Sequence, residues 1–135
     1  MRLPLLLAFL TSASIVCDAR QPSELTSTLL SRSTAVIVAE FRDAGSTALS
    51  ANYYVVDNFD VKATLAGSFP EETISLHIVR SLRDHPHPYK PGEKVILFVK
   101  KLPDAFPPWG LADDDFGVQP YTHGLEESIK QLLAR

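Results

Sequence analysis

Apolar and polar residues alternate through the middle of the chain, whereas near its two ends the apolar residues recur with a helical period. A period of two residues is typical of strands, and a spacing of three or four residues is typical of amphipathic helices. The unbroken apolar run at 36–38 indicates a first strand that is partly covered on both faces. The pattern predicts helices over 21–33 and 125–135, and strands over 34–41, 53–65, 73–81, 94–101 and 116–121.

The segments between these strands have the composition of turns and loops. Small and polar residues at 44–52 predict a hairpin loop, and the dipeptides Ala66-Gly67 and Pro91-Gly92 predict turns. Prolines and a glycine follow one another closely within 102–115, so this segment is predicted to be irregular.

The second strand contains a break in its alternation. Asp57 falls with the polar residues, and the pattern slips by one position at Asn58-Phe59, which predicts a bulge there. A long strand with a bulge is what a small barrel uses to turn a corner. Five strands of this length close naturally into a barrel, because closure removes exposed edges. The expected fold is therefore mainly β (α+β), a small five-stranded barrel with a short N-terminal helix and a C-terminal amphipathic helix.

The first residues have the pattern of an export signal. Arg2 is followed by an apolar stretch, and the small residues before Arg20 fit a cleavage site after Ala19. We therefore interpret 1–19 as a signal peptide and 20–135 as a single domain, exported to the periplasm or secreted. The alternative, an ordinary buried helix, is disfavoured because a core helix seldom starts at the first residue without a polar face. The apolar stretch is also too short and interrupted to span a bilayer.

Export bears on the cysteine content, because cleavage after Ala19 would remove Cys17, the only cysteine. The remaining domain would be held by its core alone, for which its length suffices. Small extracellular animal domains usually carry several disulfides. Their absence favours a bacterial periplasmic or secreted protein.

Composition and charge argue against two classes, disordered chains and nucleic-acid-binding proteins. Of 135 residues, 45% are hydrophobic and 21% are charged, as in a globular domain rather than a disordered chain. The formal net charge of -3 disfavours nucleic-acid binding, which normally needs a basic patch.

Four segments together resemble a known family: "TAVIVAEF", "YYVVDNFDVKATLAG", "TISLHIV" and "YKPGEKVILFV". They are similar to the netrin-like, tissue-inhibitor-of-metalloproteinases-like group of OB-fold barrels, and to exported bacterial proteins of that shape. The similarity covers roughly residues 25 to 120 and includes two turns, Leu65-Ala66-Gly67 and Pro91-Gly92-Glu93. Ala66 stands where that group commonly has a basic residue, and the paired cysteines of its animal members are missing.

The resemblance implies one specific activity, inhibition of zinc proteases. In the animal inhibitors the mature N-terminal cysteine chelates the protease zinc through its α-amino group and carbonyl. Only Cys17 could take that part here, and only if cleavage fell between Val16 and Cys17. Val16 suits neither that cut nor a lipid anchor on Cys17. The mature N-terminus, Arg20 or Cys17, thus decides between an inhibitor and another kind of binding protein.

Two groups of residues are candidates for metal binding. His85 and His87 could hold zinc or copper with Asp84 or His77 as a third ligand, but the spacing fixes no further ligand. We favour an ordinary proline-rich loop there. The acidic run 113–115 could gather calcium, but it lacks EF-hand spacing and adjacent acids rarely all point inward. We favour a solvated loop.

Trp109 lies in a loop together with Phe106, and Tyr121 follows later. Such aromatic residues beside a barrel either line a groove for a partner or pack down to anchor the loop. The sequence leaves both alternatives open, with a preference for the anchor.

Residues for catalysis are lacking. The chain has no Gly-x-Ser-x-Gly elbow and no glycine-rich phosphate loop. The acidic pairs Glu71-Glu72 and Glu126-Glu127 are typical of solvated surface beside a turn and on a helix. The expected function is a non-catalytic protein-interaction or binding module without a cofactor, with metalloprotease inhibition or weak metal binding as alternatives. No binding residues follow from the sequence.

Overall fold

The structure, a computed structural model, describes residues 22–47, 52–81, 88–105 and 107–135. It is mainly β, with six antiparallel strands in one sheet and two helices. In chain order the elements are helix α1 (Pro22–Arg32), strands β1 (Ala35–Thr47), β2 (Asn52–Gly67), β3 (Thr73–Ser81), β4 (Lys94–Lys101), β5 (Trp109–Leu111) and β6 (Val118–Pro120), and helix α2 (His123–Leu133).

The strand order is β3-β2-β1-β4-β5, and β6 also pairs with β4. Two short strands therefore share one edge of β4: β5 lies beside Val99, Lys100 and Lys101, and β6 lies beside the start of the strand. The prediction that 102–115 is irregular is wrong at β5. The local composition disfavours a strand there, but backbone hydrogen bonds with β4 hold these three residues in one. The predicted number of five strands is likewise corrected to six.

Residues 35–39 of β1 and 95–99 of β4 are buried on both faces, which agrees with the apolar run at 36–38. Alternate residues point to two separate cores, and we name the two sides of the sheet after them. The inner face holds the larger core: Ala35, Ile37, Ala39, Phe41, Phe59, Phe69, Ile74, Leu76, Val95, Leu97, Val99 and Trp109. The helix face is covered by α1 and α2 and holds Leu29, Val36, Val38, Ile96, Phe98, Ala112 and Ile129.

The pairing of β1 with β2 contains a bulge at the predicted place, opposite Asn58-Phe59, but β1 and not β2 carries the extra residue there. Phe41 faces Phe59 and Asp43 faces Asn58, so the extra residue is Arg42 on β1. The apparent slip in the pattern of β2 arises because Asp57, expected among the polar residues, is fully buried like Phe59. Two further irregularities of the ladder do place the extra residue on β2, at Lys62 and at Leu65.

Two predicted turns have different outcomes. Around Pro91-Gly92 the prediction is confirmed: the Glu93 N–H donates to the Lys90 carbonyl at 2.9 Å, and Gly92 has φ +88°. This turn leads directly into β4. The other predicted turn, Ala66-Gly67, is instead the end of β2. Of the predicted hairpin loop at 44–52, the residues 44–47 belong to β1 and Asn52 to β2, and 48–51 lie outside the described residues.

The two ends of the strand order, β3 and β5, come close to each other in space. In the described part of the chain no ladder of hydrogen bonds joins them; each pairs only with its other neighbour. Side chains fill part of the space between them, with the rings of Phe69 and Trp109 at 4.8 Å between centroids. No helix within the described ranges has the length and apolar character needed to cross a membrane.

Candidate functional site

A cleft runs along the seam between β3 and the segment that contains β5, and we call it the β3–β5 cleft. It consists of three neighbouring cavities of about 500, 120 and 320 Å³. His77 lines both the first and the second cavity, and Leu111 lines both the second and the third. The cavities therefore follow one another along a single path.

Trp109 forms one wall of the largest cavity. Pro107 and Pro108 restrict the backbone just before it, and the Leu102 N–H donates to the Pro108 carbonyl at 2.7 Å. The indole is only 7% exposed and packs against Phe69, with the Lys101 ammonium 5.5 Å from its ring centroid. Of the two alternatives for Trp109, the anchor is the one observed, and the anchored ring also borders the cleft.

Strand β3 forms the opposite wall because its residues alternate between the two sides of the sheet. Ile74 is buried towards the inner face, whereas Ser75 and His77 point outward, His77 opposite Val56 of β2. Ser75 Oγ donates to Asn58 Oδ1 at 2.6 Å. The wall thus presents a polar row beside apolar Val56 and Ile74.

The cleft is acidic at both of its ends. Glu71 borders the first cavity, Asp114 borders the second and third, and Asp115 borders the third. Among the described residues that line the three cavities there is no lysine or arginine. A cationic group would therefore find carboxylates there, and no lysine or arginine among the described lining residues.

The acidic run 113–115 has a structural use that differs from the calcium hypothesis. Asp113 Oδ1 accepts hydrogen bonds from the backbone N–H groups of Asp115 and Phe116, at 2.9 and 3.0 Å. Its other oxygen lies 3.4 Å from Arg32. Asp113 thereby organises the turn, and Asp114 and Asp115 are left exposed beside the cleft.

A second polar cluster lies on α2, where the ligand atoms of His123, Glu126 and Glu127 lie within 4.8 Å of one another. It is the one such trio in the part of the chain that the structure describes. The Lys130 ammonium lies 2.9 Å from Glu126 and 3.9 Å from Glu127, so the carboxylates already share a cation. The Tyr121 hydroxyl also donates to Glu126 at 3.0 Å.

These contacts determine how Glu126 and its partners titrate. Hydrogen bonds from Lys130 and then Tyr121 lower the pKa of Glu126 below its ordinary value. The same hydrogen bonds to Glu126 raise the pKa of Lys130 and that of Tyr121. The ion pairs of the cluster lie within α2, the Tyr121 hydroxyl joins it to the segment before the helix, and Glu126-Glu127 is more structured than the predicted solvated pair.

Several residues proposed from the sequence lie outside the described residues: Cys17, Arg20, Asp84, His85, Phe106 and His87. His77, the suggested third ligand, is exposed on β3 and lines the cleft. Tyr121 packs on the helix face, away from Trp109 in the inner core. Of the pair Glu71-Glu72, only Glu71 borders the cleft.

Sequence reasoning missed the cleft because its two walls come from distant parts of the chain. Residues of β3 and the segment around Pro107 are brought together only by the curvature of the sheet. The one available signal was the proline-rich approach to Trp109, which sequence alone predicts as an irregular loop.

The chain matches no model of a protein family, and comparison with the curated proteins and with the solved structures found no match either.

Proposed function

We propose that this chain is an exported, non-catalytic binding module built on an OB-like barrel of the netrin-like type, with the β3–β5 cleft as its binding site. The approach of β3 to β5 supports the barrel, because it brings the two ends of the strand order together. The apolar, positively charged start of the chain and the small residues before Arg20 support export.

The observation that carries the proposal is the largest cavity of the cleft. Its volume of about 500 Å³ lies in the range of ligand sites, and it is walled by apolar residues with a few polar groups at the margin. Trp109 and the adjacent prolines give it a rigid side, which lowers the entropy cost of binding. The partner that such a site suits best is a segment of another protein.

A catalytic alternative would have to use Ser75 and His77, which line the same cavity as Glu71. Ser75 donates its hydroxyl hydrogen to Asn58, which leaves no proton directed at an imidazole. Residues two apart on one strand face are also separated by about 6.6 Å along the strand, too far for a nucleophile–base hydrogen bond. The geometry therefore favours binding over nucleophilic catalysis.

Selection from a displayed random-peptide library tests the binding proposal. The variant Ala105→Phe would fill the cavity from an exposed position, while Gln131→Phe adds the same side chain on the exposed surface of α2. We expect wild type and Gln131→Phe to enrich the same peptides and Ala105→Phe to lose them. Equal enrichment by Ala105→Phe, or no enrichment by the wild type, would contradict the proposal.

The intact mass of the protein recovered after export tests the proposal that the chain is exported and cleaved. A start at Arg20 agrees with a soluble binding module and removes the only thiol. A start at Cys17 with a free amino group would instead support the zinc-protease inhibitor. An added lipid mass on Cys17 would indicate a tethered protein.

A further inference from the structure

We infer that the β3–β5 cleft binds an extended, basic peptide segment whose apolar side chains enter the cavity beside Trp109 and whose cationic side chains meet the carboxylates at the ends of the cleft. The inference rests on the proposed binding function and adds the conformation and the charge of the ligand. It is carried by four properties of the cleft: its length, the edge of β3, the apolar cavity beside Trp109 and its charge.

The length of the cleft suits an extended chain. The cavities are lined in succession by β3 residues from Thr73 to Ile78. Six strand residues span about 17 Å at roughly 3.3 Å per residue. A peptide of five or six residues in extended conformation covers that distance, whereas a compact small molecule would occupy only the first cavity.

The backbone of β3 offers a second point of recognition. Strand β3 is the last in the strand order, and in the described ranges its second edge carries no paired strand. An edge strand presents main-chain donors and acceptors, and peptides that add to such an edge gain affinity from those groups. Specificity then comes from cavities that receive alternate side chains.

The apolar part of the ligand is set by the largest cavity. Val56, Ile74 and Pro108 surround the space beside the Trp109 ring. Burial of an apolar side chain there removes both surfaces from water. We therefore expect an aliphatic or aromatic residue of the peptide to lie in the first cavity, beside Trp109 at the start of β5.

The charge of the ligand follows from the carboxylates. Arg32 pairs with Asp113, but Asp114 and Asp115 remain exposed beside the cleft, and Glu71 is exposed at the opposite end. Lys101 lies over the Trp109 ring and is not among the lining residues. Cationic side chains on the ligand would complement this arrangement, while an acidic peptide would be repelled.

The test uses three synthetic six-residue peptides with blocked ends, in which leucine alternates with lysine, with glutamine or with glutamate. Trp109 is the only tryptophan, so its fluorescence reports on the cleft directly when the peptides contain none. We expect the lysine peptide to bind at least tenfold more tightly than the glutamine peptide, and the glutamate peptide to be weakest. Higher salt should reduce these differences.

Two variants show where the preference arises. The double variant Asp114→Asn with Asp115→Asn should bring the lysine and glutamine peptides to within about twofold of each other. A matched double variant, Glu24→Gln with Glu93→Gln, removes two exposed carboxylates that do not line the cleft and should keep the preference.

Three outcomes would overturn the inference. They are equal binding of the three peptides, no binding of any of them, and binding of the lysine peptide that survives Ala105→Phe, which would reveal only general attraction to an acidic surface. Each of these leaves the proposed function to the random-peptide selection, whose enriched sequences can be uncharged or acidic. The two ideas therefore fail separately.

Discussion

The helix face and the β3–β5 seam of this small protein are packed in different ways. On the helix face, hydrogen-bonded β1 and β4 are covered by α1 and α2, and residues such as Phe98 and Ile129 are fully buried. At the β3–β5 seam no ladder of backbone hydrogen bonds joins the two strands within the described residues, and a cavity of about 500 Å³ lies along it. The regular backbone pairing of β1 with β4 leaves no such space.

The largest effects on stability are expected when a large buried side chain is replaced by alanine on either side of the protein. Phe98→Ala should lower the free energy of unfolding by about 4–5 kcal/mol, since a fully buried ring leaves a cavity that the strands and helices cannot fill. Trp109→Ala should cost about 3 kcal/mol, because one side of its ring already faces a cavity. Urea denaturation followed by far-ultraviolet circular dichroism measures both.

The order of the two values decides the outcome of this comparison. A Trp109→Ala variant that loses as much stability as Phe98→Ala would mean that the seam is packed as firmly as the helix face. The cleft would then be a poor place for a ligand.

Glycines give the next comparison, between a rigid and a yielding neighbour. Gly67 has φ +71°, and an added Cβ would stand 2.1 Å from the Thr34 carbonyl oxygen, which is part of the backbone. Gly67→Ala should therefore cost about 3 kcal/mol, from a positive-φ penalty of about 1–2 kcal/mol and overpacking of similar size. Gly110→Ala in β5 should cost about 1 kcal/mol, since the Leu102 side chain at 2.9 Å can move.

Gly92→Ala separates the two causes, and urea denaturation measures all three variants. Gly92 has φ +88° but nothing within 4 Å of the added Cβ, so it carries the conformational penalty without the clash. We expect its cost to fall between those of the other two substitutions. If Gly67→Ala and Gly92→Ala cost the same, the close approach of β2 to Thr34 is not rigid.

Much of this fold can be predicted from the sequence, and the failures have a common cause. The bounds of β3 and β4 agree with the predicted 73–81 and 94–101, because alternation flanked by turns is a local signal. Strand β5 was missed because its three residues are held by β4 and not by their own propensity. Asp57 was placed on the wrong face because a buried carboxylate contradicts the polarity on which the prediction depends.

The candidate site was less predictable than the fold. The packing of Trp109 agrees with the preferred alternative of an anchor, but the cleft needs β3 and the segment around Pro107, which are about 30 residues apart in the chain. Only the curvature of the sheet brings them together, and no local pattern encodes it. The use of Asp113 to hold a turn likewise depends on the geometry of 113–116.

A smaller effect is expected where α2 begins on the helix side. The Thr122 hydroxyl accepts a hydrogen bond from the Leu125 N–H at 3.0 Å, which satisfies one of the free donors of the first turn. Thr122→Ala should reduce the free energy of unfolding by about 1 kcal/mol, while Thr122→Ser should be nearly neutral. Equal losses in the two variants would show that the threonine methyl group, and not the cap, stabilises this end.

The smallest effect concerns the pH range over which α2 stays fastened. The pKa of Glu126 lies below its ordinary value of 4.5, chiefly because Lys130 and then Tyr121 donate hydrogen bonds to its carboxylate. A carboxyl group with a lowered pKa contributes its full stabilisation above the ordinary value and loses it as the pH falls through the lowered one. Glu126→Gln should therefore differ from wild type near neutral pH and converge with it as the pH falls below the lowered pKa of Glu126.

Titration of the Glu126 carboxyl carbon by NMR distinguishes the two donors. Lys130→Met should raise the pKa of Glu126 more than Tyr121→Phe does, because the lysine is the larger cause of the shift. The reverse order would make the Tyr121 hydroxyl the stronger donor to Glu126; the centroid of the Tyr121 ring also lies 5.0 Å from the Lys94 ammonium. Tyr121 would then connect α2 to β4 even where the helix face is exposed. The helix face would differ still more from the β3–β5 seam, where no ladder of backbone hydrogen bonds joins the strands in the described residues.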